Sequence, residues 1–318
     1  MRSRLNRLVL VPVTLVATAV ALAGCGGSNS SGGSPGGGSL GIDAVHVTGN
    51  VGTAATVSFD GQVTDPTATS KVETTGSGPV IQTGDTFATH IVIADGFTQK
   101  TAESSYDQHA PQVVALTTQL PSWLQDAVQG KKVGSRILVY SSAETIFGSQ
   151  GNASLGIGNK DMVVVVLDLV GRALDGPDGA SHAAPSWAPA IRKTKGVVSG
   201  LDFSGIPHPD GRLHSGVVRA GTGATVKKGQ TIAVNYLGAV YKGKQPFDES
   251  FSKAPVGFPI GEQQVVAGWD KTLVGQKVGS ELLLQIPPKD GYGKKGKPGA
   301  GIKGTDTLYF VVDILGAF

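Results

Sequence analysis

The residues of this chain best suited to chemistry gather in its last third. Tyr236, the pair Phe247-Asp248, Phe258, the pair Val265-Val266, Trp269, Tyr292, Ile302 and Phe310 fall there, in a chain that is only 6% aromatic. One carboxylate and two phenols stand among large apolar groups. Such a set either builds a core or lines an apolar pocket with a few polar tips that orient what it holds. Taken alone, the stretch leaves both readings open.

Other chemistries find little support. Ser250-Phe251-Ser252-Lys253 fits the S-x-x-K pattern of penicillin-binding nucleophiles, but no K-T-G follows. The histidines at 46, 90, 109, 182, 208 and 214 include no i, i+4 pair. The single cysteine, Cys25, forbids an intrachain disulfide and argues against a structural zinc site. No phosphate-binding loop, dinucleotide fingerprint or nucleic-acid motif occurs. The expectation is therefore no metal, no cofactor and no nucleic acid. The formal charge of +3 does not alter this, because Arg2, Arg4 and Arg7 all sit in a removable leader. The two mature halves differ in sign. Residues 25–195 hold 10 basic and 14 acidic groups, and residues 196–318 hold 14 basic and 10 acidic.

The chain has 318 residues, enough for two domains, and its 47 glycines and 17 prolines imply many turns and few long helices. Residues 1–24 read as a signal peptide, with three arginines followed by an apolar run from Leu8 to Ala23. The sequence Leu22-Ala23-Gly24-Cys25 resembles the lipobox of bacterial lipoproteins, which implies acylation of Cys25 and a lipid anchor. Residues 25–43 are a Gly/Ser tether. Short alternating runs then suggest strands at 45–47, 56–59, 86–93, 136–140 and 162–170, with one helix over 122–130. Residues 173–196, rich in Pro, Ala and Gly, read as an interdomain linker. The expected domains are 44–172 and 197–318.

These two regions match at a fixed offset of 145. Gly76, Gly78, Gly84, Thr86 and Ala88 fall on Gly221, Gly223, Gly229, Thr231 and Ala233. Lys132-Val133-Gly134-Ser135 falls on Lys277-Val278-Gly279-Ser280, and Asp168 and Gly171 fall on Asp313 and Gly316. Glycines and turn residues dominate, and these fix backbone shape. The aromatic groups do not repeat. Ile91 stands for Tyr236, Phe147 for Tyr292 and Val165 for Phe310. Trp123 is a near-counterpart of Trp269, one residue out of register, and Tyr106-Asp107 is matched to Phe247-Asp248 across a loop of different length. A fold that needed these aromatics for its core would need them twice. They are better read as a pocket lining in the second copy.

That copy resembles an FK506-binding-protein (FKBP) type peptidyl-prolyl isomerase. The resemblance rests on Val234-Asn235-Tyr236-Leu237-Gly238, Phe247-Asp248-Glu249-Ser250, Phe258-Pro259-Ile260-Gly261, Val265-Val266-Ala267-Gly268-Trp269-Asp270, Ile286-Pro287-Pro288, Tyr292-Gly293 and Leu308-Tyr309-Phe310, in order over roughly 100 residues. It implies an α+β fold: two tandem domains, each a twisted antiparallel sheet curled over a short helix. In the second copy, strands would span 217–220, 231–240, 246–248, 279–286 and 307–315, with a helix over 267–274. It also implies Trp269 as a pocket floor, with Phe247, Tyr236, Val265 and Phe310 as walls. The Val266 N–H and the Tyr292 hydroxyl would donate to substrate carbonyls. Asp248 would orient the twisted carbonyl or accept from Tyr236. Ile302 would line the loop before the last strand, and Phe258 would serve mainly as core. The implied partners are Xaa-Pro segments of exported polypeptides and FK506- or rapamycin-like macrolides. Val256, Gln264 and Gly291 depart from the family pattern, and the loop around Tyr292 is unusually basic. A non-catalytic chaperone or scaffold is the competing reading, for which the first copy is the better candidate.

Overall fold

The computed structural model describes residues 39–318. Cys25, the leader and most of the tether lie outside the described residues. The first unit begins with a hairpin of β1 (Val45–Thr48) and β2 (Thr56–Phe59). Its main sheet is built from β3 (Thr69–Thr74), β4 (Thr86–Asp95), β5 (Lys100–Ser104), β6 (Gln112–Ala115), β7 (Arg136–Ser142) and β8 (Met162–Arg172). Between them come two short helices, α1 (Ser122–Val128) and α2 (Ala143–Phe147). The strand order is β3-β7-β8-β4-β5, with β6 extending β4, and every pairing is antiparallel.

The second unit repeats this plan. A short strand β9 (Ala180–Ser181) precedes a hairpin of β10 (Ala190–Thr194) and β11 (Val197–Asp202). The sheet follows with β12 (His214–Ala220), β13 (Thr231–Val240), β14 (Asp248–Glu249) and β15 (Val256–Pro259). Then come the helix α3 (Ala267–Leu273) and the strands β16 (Glu281–Ile286) and β17 (Leu308–Ala317). The order is β14-β13-β17-β16-β12-β9, with β15 on β13. Strand β15 is absent from the expected strands because Gly257 and Pro259 break its apolar alternation. Among the described residues no helix is long and apolar enough to cross a membrane.

The repeat extends to backbone detail. The register of β4 on β8 shifts between Ala88 and Thr89, and that of β13 on β17 shifts between Ala233 and Val234, which is the same bulge 145 residues on. Gly76 and Gly221 donate to Ser135 Oγ and Ser280 Oγ at 2.9 and 3.0 Å. A Cβ on Gly221 would stand 2.3 Å from Val278 O, and one on Gly76 would stand 2.1 Å from Val133 O. The shared Lys-Val-Gly-Ser run is thus seated directly beneath a glycine that no other residue can replace without moving backbone.

Each sheet is buried on both faces. One face packs on α1 or α3. The other packs on the hairpin that opens the unit: β1–β2 over Leu138, Tyr140 and Val164, and β10–β11 over Leu237, Leu283, Tyr309 and Val311. Strands β8 and β17 therefore run buried almost end to end, which explains why Val163–Leu167 reads as a continuous apolar run. The segment 173–196 runs between the units, and much of it is packed. Trp187 and Ala188 belong to the outer core of the second unit, and Trp187 stacks on His214 with ring centroids 5.5 Å apart. Asp178 accepts from Thr222 N and Oγ1. These contacts are made by single irregular residues, so no sequence period announces them. The units also touch. Leu174 N donates to Leu315 O at 2.8 Å, and Val113, Ala173, Leu174, Ala233, Leu315 and Phe318 share one apolar cluster.

One buried position differs sharply between the copies. In the first, the Arg136 guanidinium holds Asp168 through two hydrogen bonds of 2.7 and 2.6 Å, and also donates to the carbonyls of Gly49 and Asn50 in the covering hairpin. In the second, Glu281 stands in place of Arg136 and faces Asp313 directly across the β16–β17 pairing. Both acids are more than nine-tenths buried, and Asp313 Oδ1 has no hydrogen-bond partner. Burial first, and the Glu281 charge second, push the Asp313 carboxyl up to about 7, against the opposing pull of Lys193 on β10 and Arg219 on β12. An acid whose pKa is raised on folding binds its proton more tightly in the folded state. Stability is therefore lost as pH rises from the ordinary 3.8 to about 7. Denaturation midpoints of the full chain across this window should fall with pH, and Asp313→Asn should flatten the slope. An unchanged slope in the variant would show that other groups set it.

Candidate active site

The site forms where α3 packs across the concave face of the second sheet. Val266 stands as N-cap just before helix α3 (φ −59°, ψ 140°), and the chain reverses just past the helix at Gly275 (φ +89°). Trp269 projects from this helix into the core and is 3% exposed. Three rings meet its indole edge-to-face: Tyr236 from β13 at 5.5 Å, Phe258 from β15 at 5.3 Å and Phe310 from β17 at 5.4 Å. Phe247 meets Phe310 in the same manner at 5.7 Å. Ile302 is buried in this cluster, while Phe247, Phe258, Val265 and Tyr292 are half-buried around it. All the residues singled out from the sequence, Cys25 apart, are thus brought to one place. Phe258 is more than core, since its ring is one of the three on the indole.

The polar groups are few and their assignments differ. Tyr236 Oη donates to Asp248 Oδ2 at 2.7 Å, so the carboxylate takes the second of its two expected roles. Burial first, then this bond to Asp248, drive the Tyr236 phenol well above its ordinary pKa. Burial, and then the Asp248 charge, raise the Tyr292 phenol as well. Both therefore stay protonated at any physiological pH. The Tyr236 proton is spent on Asp248, whereas Tyr292 Oη and Val266 N–H donate to no acceptor among the described residues. Asp270 fixes the approach to Val266 by accepting from Gly261 N and Gln263 N at 2.6 and 2.9 Å.

Two supporting residues were given no role in the site by the sequence. Ser250 is 2% exposed, and its hydroxyl accepts from Tyr236 N at 3.0 Å while its own N–H donates to Tyr236 O. This pins the strand that carries the phenol and leaves Ser250 no role as a nucleophile. Gly238 lies beneath two walls of the site. A Cβ there would come within 2.6 Å of both the Phe247 and the Phe310 rings. A glycine inside a strand is the sequence signal for such close approach.

The first unit shows how its counterpart site is lost, and it corrects two alignments. Ser105 makes the same pair of bonds to Ile91 that Ser250 makes to Tyr236. The offset therefore stays at 145 here, and Phe247-Asp248 match Ala102-Glu103, not Tyr106-Asp107. Tyr106 lies on the opposite face, where its hydroxyl donates to Asp168. Similarly, α1 and α3 begin 145 residues apart, so the counterpart of the Trp269 floor is Leu124, and Trp123 stands where Gly268 does. The swap is compensated. A Cβ on Gly268 would meet Ile286 at 2.7 Å, and the first unit has Ser141 at the Ile286 position. The residue matching Val266 is Pro121, with the same backbone angles (φ −54°, ψ 138°) and no N–H to donate. The first copy thus lacks both phenols, the floor indole and the backbone donor.

A family model for FKBP-type peptidyl-prolyl cis-trans isomerases matches residues 223–315. An FK506-binding protein of Streptomyces anulatus is 35% identical over 116 residues, which are 36% of this chain and 93% of that one. FK506-binding protein 4 of Gibberella zeae is 36% identical over 142 residues, 44% of this chain but 26% of that one. The corresponding protein of Aspergillus oryzae is 35% identical and is covered to 24%. The chain therefore spans about a quarter of the length of these fungal relatives. Among solved structures, FkpA from Escherichia coli is 34% identical, covering 39% of this chain and 53% of that one at a TM-score of 0.31.

The two rings above Gly238 leave no room for a methyl group. Gly238→Ala should lower the unfolding free energy of the full chain by roughly 1–3 kcal/mol through overpacking, measured by chemical denaturation. A neutral effect would show that the Phe247 and Phe310 rings are free to part.

Proposed function

Because this chain belongs to the FKBP-type peptidyl-prolyl cis-trans isomerase family, we propose that its second unit catalyses isomerisation of Xaa-Pro bonds in exported polypeptides, held at a membrane by lipid on Cys25. The observation that carries the reading is the pairing of an apolar aromatic floor with two unspent donors at its rim. Rotation about an amide is opposed by loss of resonance, at roughly 18–20 kcal/mol. The cis and trans ends differ by only about 0.5–1 kcal/mol for Xaa-Pro. The task is to bind the twisted bond better than either planar form, and no strong acid or base is required.

The residues suit that task in distinct ways. Trp269 lies under the proline ring, with Phe247, Tyr236, Phe258, Val265 and Phe310 excluding water from it. In the twisted amide the carbonyl and the nitrogen no longer share charge, and a dry apolar lining favours this less delocalised form. Val266 N–H and Tyr292 Oη hold the flanking carbonyls, so that binding energy fixes the peptide while the central bond turns. Asp248 holds the Tyr236 ring against the indole. Macrolides of the FK506 and rapamycin kind would occupy the same lining. The first unit, stripped of every such donor, serves as a non-catalytic scaffold or binding partner.

Val266 already holds the backbone angles of a proline, so Val266→Pro removes the donor and leaves the helix start in place. Its kcat/KM on an Ala-Xaa-Pro-Phe type peptide should fall roughly three- to tenfold, the worth of one hydrogen bond, and Trp269→Ala should abolish turnover. Full activity in both variants would sink the assignment of the second unit. Cys25→Ala should move the protein from the membrane to the soluble fraction of the expressing cell. Retention of the variant on membranes would exclude the lipid anchor.

A further inference from the structure

The mouth of the site carries a charge that nothing so far explains. Between Pro288 and Asp306, which frame Tyr292, stand five lysines at 289, 294, 295, 297 and 303, against the two acids Asp290 and Asp306. Asp290 is buried and already paired, at 2.6 Å, with Lys271 from α3. Asp306 accepts from the backbone of Lys303. Lys289, Lys294, Lys295 and Lys303 are exposed and make no ion pair among the described residues. Lys297 Nζ lies over the Tyr292 ring, 5.4 Å from its centroid, which places one charge on the rim of the site itself.

The first unit provides an internal control. Its matching segment, 143–161, follows the same course. Asn152 bridges Ile157 as Lys297 bridges Ile302, and Gly156 and Gly301 share a left-handed turn at φ +71° and +70°. At the five lysine positions it has Glu144, Ser149, Gln150, Asn152 and Gly158. Its balance is one base to two acids, −1, where the second unit has five to two, +3. The loop therefore folds without the lysines, and they are not needed to shape it. They occur in the copy that keeps the two donors and the indole, and are absent from the copy that lost them.

We infer that these lysines make the site selective for Xaa-Pro segments flanked by acidic residues. This rests on the reading that the Tyr292–Trp269 face binds peptide. A cationic rim steers oppositely charged segments to the site and repels basic ones. The interaction is solvent-exposed, so it acts on encounter and choice of partner more than on the bond rotation. It fades with salt, as the Debye length shrinks from about 10 Å at 0.1 M to 3 Å at 1 M.

The test uses the full chain and peptides of one Xaa-Pro core with Glu, Gln or Lys in the two positions on either side. Binding is read by fluorescence anisotropy and turnover by the isomerisation rate. The Glu series should exceed the Gln series roughly three- to tenfold at low salt, as one or two exposed ion pairs allow, and the Lys series should fall below it. The ratio should approach one at 1 M salt and in Lys294→Glu/Lys295→Glu. Equal binding of all three series overturns the inference, even where turnover is normal. Preferential binding of the Glu series without turnover would sustain it while sinking the isomerase reading. A double variant that loses affinity for phosphatidylglycerol vesicles yet keeps the peptide ratio also overturns it, assigning the lysines to a membrane surface.

Discussion

The edge-to-face packing of Tyr236, Phe258 and Phe310 on the Trp269 indole holds the concave side of the second unit together. The four rings come from three strands and a helix of only seven residues, which could not persist alone in water. A buried tryptophan removes on the order of 200 Å² from solvent, worth about 5 kcal/mol, and each ring contact adds roughly 0.5–1.5 kcal/mol. Helix, sheet and pocket floor therefore depend on one contact. The side chains that stabilise the unit are the ones proposed to bind, and Trp269 cannot be altered without loosening the helix that presents the Val266 N–H.

The two units divide along this line. What they share is backbone: the bulge after Ala88 and Ala233, the glycines above Lys-Val-Gly-Ser, and the serine that ties β5 or β14 to its neighbour. What they do not share is the aromatic and polar set proposed to bind. Leu124, Ile91, Val165 and Phe147 fill the first unit with carbon, and Trp123 with Ser141 occupies the space that Gly268 and Ile286 fill in the second. The concave core of the first unit is repacked and keeps its fold, so the frame does not require the aromatic set. This agrees with reading that set as a binding surface.

Much of this was legible in the residue string. Alternating runs located the central strands of the first unit and its short helix, the family resemblance placed the strands and helix of the second, and the fixed offset exposed the repeat. The aromatic site residues stood out because such groups are scarce in this chain, and the family resemblance supplied Asp248, Val265, Val266 and Ile302. What stayed hidden has a common cause. Strand β10 of the outer hairpin lies inside the segment 173–196 read as linker, because packed residues there, such as Trp187 and Ala188, stand singly and leave no period. Tyr106 was paired with Phe247 on aromatic likeness, although strand register puts it on the opposite face. Pro121 carries no signal by itself, since a missing N–H has meaning only beside the donor it replaces. The apposition of Glu281 and Asp313 depends on the pairing of two strands far apart in sequence, and no local pattern encodes that.

The ring of Phe318 lies against Gly171 of the first unit and Gly316 of the second, glycines that occupy the same place in the two copies. A Cβ on either would come within 2.1 or 2.4 Å of it. One side chain thus fills a space that belongs to both halves. Substitutions that would be independent in two separate folds are tied together here, since a larger residue at either glycine displaces the same ring. The concave cores of the two copies are filled by different side chains, whereas any change at this joint must suit both. The C-terminal residue of the chain thereby makes the two units share one packing constraint.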